Sequence, residues 1–388
     1  MGSSFVMNLV LASSLSLLWG LLHALQIVTH FPLSNVIFPS NAETYFEAIL
    51  EIANLGVIPT ENFEEYLEIK IGEANKSDSI FNVEDHLSES TIEAGYDSAD
   101  AVLNNIFSLV LVCFIVFCTV VILLLRLLCF KVERVKLCLN SIWRMIFWNF
   151  IIRSTMETYL ELCLVNMIRM YAINFSSWYE VFGSSYAILI LTLLTLFSLL
   201  SPVFLLRRRD EFELNDETFI KKFGSLAQEL NSEKQSAKFY AMCFMLRRLC
   251  LASILVYLPK HPLAQVQLIC FTMSLQVIFI GYSMPFTVPW MNNLEVSNEF
   301  LVLISSYFLF MYSDGLILKQ NPIYPEIQEM VKNDKLQYDV GFCHVGILGV
   351  IILQNLVVIL TVQAHTMYKK AKLQWLKWQN KKLMKKNQ

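Results

Sequence analysis

From residue 103 to residue 128 the chain reads LNNIFSLVLVCFIVFCTVVILLLRLL, with Arg126 as its single charge. A helix needs about 20 apolar residues to cross a hydrocarbon core of about 30 Å, and a longer apolar run without charge pairs has no comfortable place in a water-soluble globule. Two further runs are as clear, 184-SSYAILILTLLTLFSLLSPVFLL-206 and 343-CHVGILGVIILQNLVVILTVQAH-365. Composition agrees: 55% hydrophobic against 16% charged residues leaves too little polar material to clothe a soluble protein of 388 residues. With apolar blocks near 5–29, 149–173, 241–258, 265–284 and 298–318, the expected fold is all-α, a multi-pass transmembrane helical bundle of about eight spans. The block at 1–29 has no basic residues ahead of its apolar run and no clear small-x-small cleavage site. It therefore reads as a first span, a possible signal anchor, rather than a removed leader.

Lysine and arginine placement sets the expected orientation, because loops rich in these residues stay cytoplasmic. They cluster at 126–144, at 207–240 and from Lys369 to Lys386, which places those regions inside. Segments 30–102, 259–264 and 319–342 carry few and are expected outside. The organisation that follows is a first span over 1–29, an acidic outer segment over 30–102, a seven-span bundle over 103–368 with the cytoplasmic loop 207–240, and a basic tail over 369–388. The sequons at Asn75 and Asn174 both fall on expected outer segments, where glycosylation could reach them. Within 30–102 the apolar opening, broken by Pro32 and Pro39, is expected to pack down on the spans, and the acidic remainder to be solvated.

An ionisable side chain in lipid is costly and marks either a paired structural contact or a transport pathway. Span 149–173 carries Arg153, Glu157, Glu161 and Arg169, the first three at four-residue spacing and so on one helical face. Span 241–258 carries Arg247 and Arg248. Adjacent helical residues point about 100° apart, so one arginine is expected to snorkel to the cytoplasmic headgroups and the other to enter the bundle. Its expected partner is Glu157 or Glu161. Glu295 and Glu299, read as the first turn of the following span, lie on a link with no lysine or arginine and are expected to supply at least one further contact to the arginine pair. Asp314 sits near the outer end of that span.

The nine cysteines lie in spans or at their cytoplasmic ends, with no CxxC pair and no histidine at ligand spacing, so neither a disulfide framework nor a metal site is expected. No HExxH, GxSxG or phosphate-cradling glycine loop is present, and 12 glycines leave little to build one from. No enzyme, no cofactor and no nucleic-acid partner are expected.

The order LQIVTHFPL (25–33), IPTE (58–61), FWNFIIR…ETYLE (147–161), MLRRL (245–249), PLAQVQ (262–267), YSMPF…NNLE…NE (282–299) and YSDGL (312–316) resembles the membrane region of large ciliate surface proteins. Those proteins carry a cysteine-rich, furin-like or EGF-like ectodomain ahead of a multi-pass region similar to the TRP channel C-terminal domain. The resemblance covers most of the 388 residues and implies a plasma or ciliary membrane and a homo-oligomer or larger surface complex. The cysteine-rich ectodomain is not among these residues. A TRP channel also sets a pore helix and filter between its last two spans, whereas here that link, 319–342, is polar and without a filter-like glycine.

Two functions follow. The favoured one is a non-enzymatic membrane scaffold or surface-complex subunit held together by buried ion pairs. The alternative is an ion channel or transporter conducting along the polar face of Arg153, Glu157, Glu161, Arg247 and Arg248. The tail mixes Leu373, Trp375, Leu376 and Trp378 with lysines, a combination suited to anionic inner-leaflet lipids; a calmodulin-type partner is the alternative reader of the same helix.

Overall fold

The computed structural model describes residues 20–53, 117, 119–127, 139, 151–173, 175, 176, 178–208, 217–227, 229–312, 326, 330 and 334–386. The remainder of the expected first and second spans, the acidic part of 30–102, and Asn75, Asn174 and Asp314 lie outside the described residues.

Every described regular element is helical. We number them α1 (residues 20–29), α2 (Ser40–Ala53), α3 (Ile151–Glu157), α4 (Tyr159–Tyr171), α5 (Trp178–Arg207), α6 (Glu217–Ala227), α7 (Tyr240–Tyr257), α8 (Pro262–Ser283), α9 (Pro289–Tyr312) and α10 (Lys335–Lys386). Among the described residues, five helical segments are long and apolar enough to cross a membrane: Glu180–Arg207, Ser236–Tyr257, Pro262–Ser283, Pro289–Tyr312 and Lys335–Leu376. Helix α7 packs against α4, α5 and α8, α9 lies against α8 and α10, and α2 lies against α10. One continuous core of buried residues, including Leu160, Leu164, Leu251, Met273 and Val302, runs through these contacts.

Helix boundaries differ from the apolar windows in three places. The stretch expected as one span over 149–173 is two short helices, α3 and α4, meeting at Thr158. Helix α9 starts at Pro289, a residue whose fixed φ suits the first helical position, so Glu295 and Glu299 lie inside it rather than in its first turn. The last span and the basic tail are one uninterrupted helix of 52 residues. Hydropathy reports where a helix meets lipid; it does not report where the backbone stops being helical.

Local chemistry explains the joints. Pro202 lies inside α5 and has no N–H for the Ser198 carbonyl, and the Ser201 hydroxyl donates to that carbonyl at 2.9 Å instead. At the end of α8, Met284 takes a left-handed conformation with φ 39°, and Pro285 follows, which forbids a further helical turn.

Each end of the bundle is laced by polar bonds. At one end the Asn35 amide N–H donates to Gln265 Oε1 at 3.0 Å and its side chain donates to the Pro259 carbonyl. There too the Ile37 N–H reaches the Tyr312 carbonyl, and Phe31, Leu33, Val36 and Phe38 are buried. At the other end the Asn231 N–H donates to the Pro285 carbonyl at 2.7 Å and the Thr287 N–H to the Glu229 carbonyl at 2.9 Å, while Lys234 Nζ donates to the Ser283 and Met284 carbonyls. The described part of the 207–240 loop is therefore folded onto the bundle. Helix α6 belongs to it, with Phe219 and Phe223 against Phe204.

Helix α2 approaches α10 at Gly341. Asn41 Nδ2 donates to the Tyr338 carbonyl at 2.8 Å and its Oδ1 accepts the Ala42 N–H at 3.0 Å, so the side chain is anchored at both ends. A methyl group on Gly341 would lie 2.2 Å from that oxygen. Gly341→Ala is expected to displace Asn41 and to lower stability by about 1–3 kcal/mol through the bonds it loses. Thermal unfolding of detergent-solubilised protein measures the loss, and adding Asn41→Ala should relieve the clash and make the two changes non-additive.

Candidate functional site

The arginine pair lies seven and eight residues into α7, about 10–12 Å along its axis at about 1.5 Å per residue. Both side chains are buried, Arg247 at 5% and Arg248 at 0% exposure. Their divergent directions give them different partners. Arg247 donates from Nη1 to the Glu299 carboxylate of α9. Arg248 lies over the Phe244 ring, 3.6 Å from its centroid, and donates to two backbone carbonyls, those of Phe244 at 3.5 Å and His23 at 3.3 Å.

Neither arginine snorkels, contrary to the sequence expectation, and neither pairs with Glu157 or Glu161. The face of α7 that carries the two arginines is buried against neighbouring helices, so neither side chain reaches outward. Its own ring at i−4 and the α1 carbonyl give Arg248 a cation–π and dipolar cradle inside the bundle. The carboxylate that reaches Arg247 is one of the two on α9.

The remaining charged residues form separate local locks. Arg153 Nε meets Glu157 Oε1 at 3.2 Å, an i,i+4 pair. Glu161 turns from that stripe to His30 Nε2 at 3.3 Å. Arg169, at the end of α4, pairs with Glu180 at the start of α5 and donates to Ser184 Oγ at 3.2 Å, which ties the two helices across their link. Glu180 was not among the residues the sequence singled out.

Two buried polar clusters also escaped the sequence reading. On α9 and α10, Asn298 Oδ1 accepts Asn355 Nδ2 at 2.7 Å and Gln354 Nε2 at 2.5 Å, while Ser297 Oγ donates to Gln354 Oε1 at 2.9 Å. Near the opposite end, His344 lies between Ser305 Oγ at 2.6 Å and Tyr312 Oη at 3.1 Å and stacks on Phe308. The signal for the first was visible, since Gln354 and Asn355 interrupt an apolar run; its meaning needed the partner on α9.

Beside the arginine pair is a cavity of about 130 Å3. Its wall includes His23 of α1, Arg153 of α3, Tyr240 and Phe244 of α7, Phe286 of the α8–α9 link and Glu295 of α9. The Tyr240 hydroxyl donates to Glu295 Oε1 at 2.7 Å. Toward the opposite end the corresponding positions are Leu251, Ala252 and Leu255 on α7 and Val302 and Leu309 on α9, all buried and apolar. Among the described residues no three His, Cys, Asp or Glu side chains come together as a metal cluster. The described cysteines 163, 243, 250, 270 and 343 are all free.

Removing Arg247 strands the Glu299 carboxylate, a change that costs about 3–5 kcal/mol when the pair is buried. Arg247→Ala is therefore expected to lower thermal stability sharply in detergent, and Glu299→Gln in the same chain to recover part of the loss. A loss in the double variant as large as in Arg247→Ala would show that the pair is not what holds α7 to α9.

No protein-family model, no curated protein and no solved structure matches this chain.

Proposed function

We propose that this integral membrane protein is a non-enzymatic scaffold, a subunit of a surface complex of the TRP-like ciliate type, and that its buried charges hold the bundle together without lining a conduit. The observation that supports this reading is the closure of each pair within the chain: Arg153 with Glu157, Arg169 with Glu180, and Arg247 with Glu299. Paired charges are poor ion ligands. The apolar layer of Leu251, Leu255, Val302 and Leu309 separates the charged end from the other, and an ion crossing it would lose its hydration without compensation.

In the proposed topology eight spans leave both termini and 207–240 in the cytoplasm and 30–102 outside. The tail's lysines then face the inner leaflet, where anionic lipids contribute about 1 kcal/mol for each lysine near the surface, and Trp375 and Trp378, both exposed, suit the interface.

Purified protein in liposomes is expected to carry no more sodium, potassium or calcium flux than empty liposomes. Flux that disappears with Arg247→Ala or Glu295→Gln would overturn the scaffold reading in favour of conduction. Independently, tags at 35 or 325 should be reachable from outside intact cells and tags at 215 or 388 should not. A glycan on an asparagine introduced within 215–235 would refute the topology.

A further inference from the structure

Among the described residues, two groups in the cavity wall keep unused capacity, a carboxylate without an ion pair and an imidazole nitrogen without a hydrogen bond. Glu295 accepts the Tyr240 hydroxyl and has no cationic group within 4 Å among the described residues, whereas Glu157 and Glu299 are ion-paired. The spare cation of the region, Arg248, is turned to Phe244 and to backbone carbonyls. His23 Nε2 is buried and has no hydrogen-bond partner among the described residues. The rest of the wall brings the rings of Tyr240, Phe244 and Phe286 and the side chains of Met156, Met291 and Leu294 together with the polar residues Arg153, Ser225, Glu229 and Asn298.

A carboxylate held against aromatic and aliphatic groups is disfavoured until a cation reaches it. A protonated amine answers each feature of this wall. Its charge neutralises Glu295, its N–H groups donate to Glu295 and to a neutral His23 Nε2, and aromatic faces favour both its charge and its carbon body. The pocket is open on one side and its volume of about 130 Å3 is close to that of an engineered void of about 150 Å3 that holds benzene, room for the ring or short chain of such an amine. An anion would meet Glu295, and the Arg153 Nε that lines the same wall is bonded to Glu157.

We propose that this cavity is a binding site for a small organic ammonium, a primary amine with an aromatic or short aliphatic body. The site does not depend on whether ions cross the bundle, so it stands or falls separately from the scaffold reading. A primary ammonium can come from a free amine or from an ethanolamine lipid headgroup, and both satisfy the same chemistry.

The test uses the full-length protein in phosphatidylcholine nanodiscs, titrated calorimetrically with benzylamine and its near-isosteres benzyl alcohol and benzoate. Benzylamine is expected to bind at least about tenfold more tightly than benzyl alcohol, as one charge-assisted hydrogen bond implies, and benzoate more weakly than either. Glu295→Gln should abolish the preference of amine over alcohol. Leu294→Trp, which fills the void and keeps every charge, should abolish binding of both. Adding phosphatidylethanolamine to the nanodiscs distinguishes the sources: competition with benzylamine identifies the headgroup, and its absence a free amine. No saturable binding at millimolar benzylamine, a preference for the alcohol or for benzoate, or an amine preference that survives Glu295→Gln would each overturn the proposal. The isostere comparison needs no variant, so a variant that fails to fold does not remove the test.

Discussion

The Arg247–Glu299 pair fixes more of this molecule than any other single contact. A guanidinium at 5% exposure within an apolar helix is costly unless a carboxylate or carbonyls meet it, and a carboxylate in the same layer gains from a cation. Satisfying both sets the depth at which α7 and α9 pass one another. The α8 hairpin between them must then turn at Met284 and Pro285, and the link that follows is where Glu229 and Asn231 dock. Stability and register are set by the same bond. The ladder of Asn298, Asn355 and Gln354 extends that register to α10, and the Arg169–Glu180 pair extends it from α4 to α5.

Two arginines in an apolar run announce that a carboxylate lies nearby, and the run itself announces a span. That much was legible in MLRRL alone. The identity of the carboxylate was not, because Glu157, Glu161, Glu295 and Glu299 were all candidates with the right chemistry, and only the neighbours of α7 decide among them. Glu299 also read as a first-turn residue, since the apolar window of its span opens at 298. The helix begins at Pro289, and Glu299 lies about 15 Å from that end at about 1.5 Å per residue. Arg248 was misjudged for a related reason: snorkelling presumes lipid beside the residue, and the face of α7 that carries Arg248 is buried.

The outer segment shows the opposite balance. Pro32 and Pro39 within HFPLSNVIFPS mark a chain that is apolar and yet not a long helix, and residues 30–39 are a short turn and an extended stretch whose apolar side chains are buried. His23 and His344 carried no signal at all, because a lone histidine in an apolar run has the same appearance whether it faces a cavity or is closed between a serine and a tyrosine.

Helix α10 runs without a break for 52 residues, about 78 Å at about 1.5 Å per residue, against a hydrocarbon core of about 30 Å. The amide ladder at Asn355 grips it part way along, and α2 touches it at Tyr338 and Gly341. His344, closed between Ser305 and Tyr312, holds the same helix a second time, so the stretch from Gly341 to Asn355 is fixed to the bundle. Beyond Asn355 the helix continues for about 46 Å to Lys386 at about 1.5 Å per residue. It is a spacer of set length, and the distance at which the lysines of the tip stand from the amide ladder is written into the helix itself.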